Sequence, residues 1–113
     1  MFLTLMTVYM PNATPTLTED AVTEMLRAIA DPVRRRILDM LKQPGCCSIG
    51  RNSGLCACDI EREFKLSQPT ISHHLAVLRD AGLIDAEKVG QWMWYRRNEN
   101  ALRRLARSLG ATL

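Results

Sequence analysis

The sequence predicts a mainly α-helical domain carrying one β-hairpin, in the order helix-helix-helix-helix-hairpin-helix. Three observations carry this. Apolar residues recur at i, i+3, i+4 and i+7 in several stretches. Residues that start and stop helices flank those stretches: Thr16, Asp31, Ser67 and Asn98 at the starts, Gly45 and Gly82 at the ends. Two short runs, Leu83–Lys88 and Trp92–Arg97, face each other across Val89-Gly90-Gln91, where Gly90 is free to take positive φ.

Taken in order, Thr16-Leu-Thr-Glu19 has the form of a capping box, and Val22, Met25, Leu26 and Ile29 give the following helix one apolar face. Asp31 as N-cap and Pro32 at the first position open a second helix. Its apolar side is Val33, Ile37, Leu38 and Leu41, and Arg34, Arg35 and Arg36 fall mostly on a solvated face. Gln43-Pro44-Gly45 ends it, and residues 45–54, rich in Gly, Ser, Asn and Cys, form a loop that its glycines let fold back. A short third helix is expected from about Leu55 to Phe64, then a tight turn at Lys65-Leu66. Ser67 caps a fourth helix with Pro69 in its first turn, and this helix stops near Gly82. Asn98 caps the last helix, where Leu102, Leu105, Ala106 and Leu109 repeat at helical spacing and Arg103, Arg104 and Arg107 face solvent. The expected domain is 16–110, with tails at 1–15 and 111–113.

The 113 residues suit one domain, and 47% hydrophobic with 24% charged residues is a globular balance. Much of the surface of so small a domain stays exposed, which favours dimerisation. The net charge of +3 permits a phosphate-binding face without demanding one. No apolar run is long enough to span a bilayer, and the uncharged start MFLTLMTVYM lacks the basic residues of a secretory signal. A cytoplasmic protein with no membrane partner is expected. No Ser-His-Asp arrangement, phosphate-cradling loop or paired acids are visible, so neither an enzyme nor an organic cofactor is expected.

A short helix, a turn and a second helix make a helix-turn-helix unit, whose second helix reads DNA. On the fourth helix Ile71, Leu75 and Leu78 should pack inward, while Ser72 and His73 point broadly outward and Gln68 and Thr70 lie at the exposed N-terminal end. Gln68 can bond adenine in a bidentate way, and the hydroxyls of Ser67, Thr70 and Ser72 can bond base or phosphate. His73 and His74 are read as surface or phosphate-contacting imidazoles rather than ligands, because adjacent helix residues do not face one point. The hairpin becomes a wing: Lys88, Arg96 and Arg97 supply cations, Gln91 sits at the tip, and Trp92, Trp94 and Tyr95 fill core.

Four cysteines, Cys46, Cys47, Cys56 and Cys58, cluster in thirteen positions, and the rest of the chain has none. In a cytosolic protein such a cluster points to metal binding or catalysis rather than to structural disulfides.

Leu55-Cys-Ala-Cys-Asp-Ile60, Leu66-Ser-Gln-Pro-Thr-Ile-Ser-His-His-Leu75, Leu78-Arg-Asp-Ala-Gly-Leu83 and Gly90-Gln-Trp-Met-Trp-Tyr-Arg96 together resemble the ArsR/SmtB family over most of the chain. The resemblance implies a dimeric winged-helix repressor of double-stranded operator DNA, with the first and last helices forming the homodimer interface and metal binding releasing the DNA. Cys56-Ala-Cys58 resembles the inducer site of the arsenic- and antimony-sensing branch, whose trivalent ions favour three thiolates. That branch implies control of a metalloid-resistance operon. The sequence departs from its pattern at Glu61, where a third cysteine is often found. Cys46 or Cys47 is left to supply that thiolate, and if all four cysteines bind, a site for cadmium, lead or zinc arises. The family's other familiar site, built on the last helix, is not visible: residues 98–113 hold no His and only Glu99 as an acid.

On a regular helix Cys56 and Cys58 point about 200° apart, so gripping one ion should bend or unwind the helix start and strain the support of the DNA-reading helix. Three alternatives stay open: a soft divalent metal (cadmium, lead, mercury, zinc), thiol oxidation as the signal, and a thiol-disulfide oxidoreductase. Against the last stand the Cys-X-Cys spacing and the lack of a βαβ pattern.

Overall fold

A computed structural model describes residues 17–42 and 55–113. It contains helices α1 (Glu19–Ile29), α2 (Pro32–Met40), α3 (Ala57–Glu63), α4 (Gln68–Asp80) and α5 (Glu99–Thr112), and strands β1 (Leu55–Cys56), β2 (Ile84–Val89) and β3 (Trp92–Arg97). The expected N-terminal tail, the loop at 45–54, Thr16, Cys46 and Cys47 lie outside the described residues. No described helix is long and apolar enough to cross a membrane.

Local chemistry sets the helix ends. Asp31 Oδ1 accepts from the amides of Val33 at 2.7 Å and Arg34 at 3.2 Å, so α2 starts where Asp-Pro predicted. The Ser67 hydroxyl accepts from Thr70 N at 3.3 Å, and Asn98 Oδ1 accepts from Ala101 N at 3.0 Å. Helix α4 closes in a Schellman motif: Gly82 takes φ +81°, its amide bonds Arg79 O at 2.9 Å, and Leu83 N bonds Leu78 O at 3.0 Å. Helix α1 is capped by Thr18, not Thr16; the Thr18 hydroxyl accepts from Ala21 N at 3.1 Å. Helix α5 runs to Thr112, two residues past the expected boundary.

The third helix differs most from expectation. It starts at Ala57, because Leu55 and Cys56 leave the helix to form β1, paired antiparallel with Tyr95 and Trp94 of β3. The sheet is therefore three-stranded, in the order β1-β3-β2, with β2 and β3 joined through Gly90 at φ +64°. Pairing buries Leu55 and Cys56 almost completely, which outweighs the weak propensity of a two-residue helix extension.

The core joins Ile37 of α2 and Leu41 at its C-cap, Ile60 of α3, Ile71 and Leu78 of α4, and Leu83 and Ile84 entering β2, all nearly inaccessible. Trp94 is buried and Tyr95 packs against the core, as expected. Trp92 does not: it is 55% exposed, since its pairing partner is Val89 beside the hairpin tip, where the wing runs past the helices.

Arg97 is not a free cation of the wing. Its Nη1 donates to Leu38 O at 3.0 Å, and its Nε and Nη2 grip Glu99 at 2.8 and 3.2 Å, tying β3 to α2 and to the start of α5. The Arg97 guanidinium holds the Glu99 carboxyl below the usual carboxylate range. A depressed folded-state value means stability that is present at neutral pH and lost as pH falls through the carboxylate range. Glu99 is half exposed, so we expect Glu99→Gln to cost about 1 kcal/mol or less at pH 7. Thermal melts of both proteins should converge as the buffer is acidified.

Candidate thiol site and nucleic-acid interface

Helix α4 divides by face. Ile71, Leu75 and Leu78 are buried, whereas Ser67, Gln68, Thr70, Ser72 and His73 are exposed and His74 is half-buried. The exposed group clusters at the N-terminal end, where backbone N–H groups and the helix dipole favour phosphate. Two of its hydroxyls already meet: Ser67 Oγ lies 2.8 Å from Thr70 Oγ1. On the wing Lys88, Gln91 and Arg96 are all exposed, with Arg96 opposite Asp85 in the β2–β3 register. The helix packs against β2, so the wing flanks it.

Arg35 and Arg36 of α2 are exposed, as expected, and Arg34 is half-buried, yet all three make specific contacts. Arg34 Nε donates to Ala28 O at 2.6 Å and its Nη2 to Arg27 O at 3.2 Å, while Arg35 Nη1 donates to Ile29 O at 2.6 Å. These carbonyls belong to the last turn of α1, where Arg27 O also accepts from the Ala30 amide at 3.3 Å, and the two cations bond to them and complement the dipole. Arg34 Nη1 also lies 3.0 Å from His74 Nδ1 on α4. Arg36 reaches Glu63 of α3 at 3.1 Å and Asp39 at 3.2 Å. Burial pushes the Asp31 carboxyl up, but the Arg34 and Val33 amides and the charges of His74 and Arg34 outweigh it and hold it below the ordinary value. Basic residues a few positions past a helix end are a sequence signal for such carbonyl contacts, which periodicity alone does not register.

The thiol site lies where the sheet meets α3. Cys56 is the N-cap of α3, with extended backbone at φ −84° and ψ 164°, and Cys58 is in the first turn. The Cα atoms are 5.4 Å apart and the two sulfurs are in disulfide contact. The expected divergence of about 200° therefore does not arise, because it assumed both residues on one regular helix. The sulfurs meet with α3 intact, and no unwinding is needed to bring them together.

Asp59, which its residue type and spacing alone do not mark as a ligand, is buried beside them. Its Oδ2 lies 3.4 Å from Cys56 Sγ, a distance at which a thiol donates, and its other oxygen lies 3.8 Å from Arg62 Nη1. The Cys56 and Cys58 sulfurs and one Asp59 oxygen all fall within 4.8 Å of one another. Two soft donors and one hard donor make a set that a thiophilic ion could use. Cys58 is only half-buried, which leaves the site open to a small solute.

Residues 31–86 match the family of bacterial regulatory proteins described as the arsR family. An HTH-type transcriptional regulator of Methanocaldococcus jannaschii is 42% identical over 72 residues, covering 64% of this chain and 72% of the relative. The chain belongs to the ArsR family. Another relative, the arsenical resistance operon repressor of Staphylococcus aureus, is 40% identical over 78 residues, covering 69% of this chain and 66% of that protein. Among solved structures, the homodimeric winged helix-turn-helix DNA-binding domain of a possible ArsR-family regulator from Mycobacterium bovis superposes with TM-score 0.61. It is 26% identical and covers 81% of this chain and 78% of that one. The chain is thus a winged helix-turn-helix transcription regulator: α3 and α4 are the helix-turn-helix and β2–β3 the wing.

Proposed function

We propose that this ArsR-family protein is a cytoplasmic repressor of a metalloid-resistance operon, released from its operator when trivalent arsenic or antimony binds Cys56 and Cys58. The observation that carries the reading is the convergence of these two sulfurs at the start of α3. Cys46 or Cys47 supplies the third thiolate, from the segment that leads directly into β1. The names of arsenical resistance repressors among the relatives support the choice of inducer. Ser67, Gln68, Thr70, Ser72, His73 and His74 face DNA from α4, and Lys88, Gln91 and Arg96 face it from the wing. Two copies associate through α1 and α5, which pack side by side and leave Leu26 of α1 partly exposed.

The location of the site supplies a route to release. Cys56 belongs to the sheet that carries the wing and Cys58 to the first helix of the DNA-binding unit. A ligand held by both ties those two bodies together. Thiols lose their protons when they ligate, so Cys56 can no longer donate to Asp59 and that buried carboxylate loses a donor. Asp59 and Arg62 must then rearrange on α3, which supports α4.

Titrating the reduced protein with arsenite and following sulfur-to-arsenic absorption tests the donor set. One ion per chain is expected, with Cys46→Ser or Cys47→Ser, but not both, weakening uptake. Full uptake by the Cys46→Ser/Cys47→Ser double variant would remove the third thiolate from the account.

One observation favours a second reading, in which thiol oxidation is the signal: the Cys56 and Cys58 sulfurs are already within bonding contact. Diamide, with metals chelated, would then release DNA and dithiothreitol would restore binding. Under the leading reading arsenite releases it while the thiols stay reduced.

A further inference from the structure

Arg34 gathers three separate parts of the fold on one guanidinium. It sits on α2, donates to the last carbonyls of α1 at Arg27 and Ala28, and reaches His74 on α4, forty residues away in sequence. Of these elements only α4 carries the DNA-facing side chains, so this contact connects the helix at the proposed dimer interface to the helix that reads DNA.

The chemistry of the contact is directional. A guanidinium has donors and no acceptor, so His74 Nδ1 must be the acceptor and the neutral ring must carry its proton on Nε2. A ring held this way offers a donor at Nε2, which a phosphate oxygen accepts. The opposite tautomer would offer an acceptor, which phosphate repels.

We propose that Arg34 is a positioning residue for DNA binding, which anchors α4 to the end of α1 through His74 and fixes that imidazole as an Nε2–H donor. The proposal rests on the reading of α4 as the DNA-facing helix. Lysine at this position keeps the charge but has one compact donor group, which cannot serve two carbonyls and an imidazole in a plane.

The test uses the full chain and a DNA duplex selected by the wild-type protein from a random pool. Long-range 1H–15N spectra of the free wild type above neutral pH should show His74 as the Nε2–H tautomer. Arg34→Lys should introduce the Nδ1–H form and weaken DNA binding about tenfold. His74→Phe should weaken binding similarly, and the double variant should be no weaker than His74→Phe alone. A wild-type His74 protonated on Nδ1, or losses that multiply in the double variant, would overturn the proposal. If Arg34→Lys fails to fold, the wild-type tautomer and the His74→Phe affinity still decide it. Gln68→Ala, outside this cluster, separates the two readings. Weaker binding by Gln68→Ala with none for Arg34→Lys sinks the anchor alone, whereas unchanged binding for Gln68→Ala and His73→Ala sinks the DNA-facing role of α4.

Discussion

Cys56→Ser and Cys58→Ser should each keep operator binding and lose its reversal by arsenite. A serine hydroxyl is isosteric with the thiol but is a hard donor that stays protonated at neutral pH, so it contributes little to holding a thiophilic ion. Loss of a supporting group around a bound ion typically costs ten- to a hundredfold in affinity, and loss of a donor itself should cost on the order of a hundredfold or more. The fold should tolerate both changes. Cys58 is half-buried, and the pairing of Cys56 with Trp94 uses backbone groups that serine retains. Cys56→Ser carries the larger structural risk, because the side chain is 1% exposed and a hydroxyl there needs a partner. Asp59 Oδ2, 3.4 Å from the sulfur, is in place to accept from it. A gel-shift series across arsenite concentrations reads the result. Release of either variant at the wild-type arsenite concentration would remove that cysteine from the site.

The largest effect on stability should come from Leu78→Ala. Leu78 lies on the inner face of α4, is fully inaccessible, and belongs to the cluster that contains Ile37, Ile60, Leu83 and Ile84. Removing its branched end loses burial energy and leaves a cavity, a combined cost of roughly 2–5 kcal/mol. In a domain of this size that lowers Tm by roughly 10 °C or more, measured at one protein concentration because association shifts the midpoint. Leu78→Met, which conserves volume, should cost less than about 1.5 kcal/mol. Equal melting of Leu78→Ala and wild type would mean that α4 is held by its caps and Arg34 rather than by packing.

Helix α4 was legible almost residue by residue, because its determinants are local: Ser67 at the cap, Pro69 in the first turn, Gly82 at the stop. The hairpin was legible for the same reason, through Gly90. What escaped were long-range features. Strand β1 is two residues long and carries no period; it exists because Leu55 and Cys56 meet Tyr95 and Trp94 from the far end of the chain. That one pairing changed the geometry of the thiol site, since it takes Cys56 off the helix. The roles of Arg34, Arg35 and Arg97 were hidden for a related reason: most of their partners are backbone carbonyls, which leave no mark in sequence. Trp92 and Trp94 share a strand face, yet only Trp94 is covered, because burial depends on how far the wing outruns the core. Cys56 and Cys58 stand out in the sequence by type and spacing, whereas the nearness of Asp59 to them follows from the first turn of α3.

The most direct test follows the anisotropy of a fluorescent operator duplex bound to the reduced wild-type protein while arsenite is added. The account predicts a fall to the value of free DNA at about one arsenite per chain, with no change on adding arsenate, which thiolates do not ligate in its oxidised form. A duplex that stays bound while arsenite is seated on Cys56 and Cys58 would contradict it.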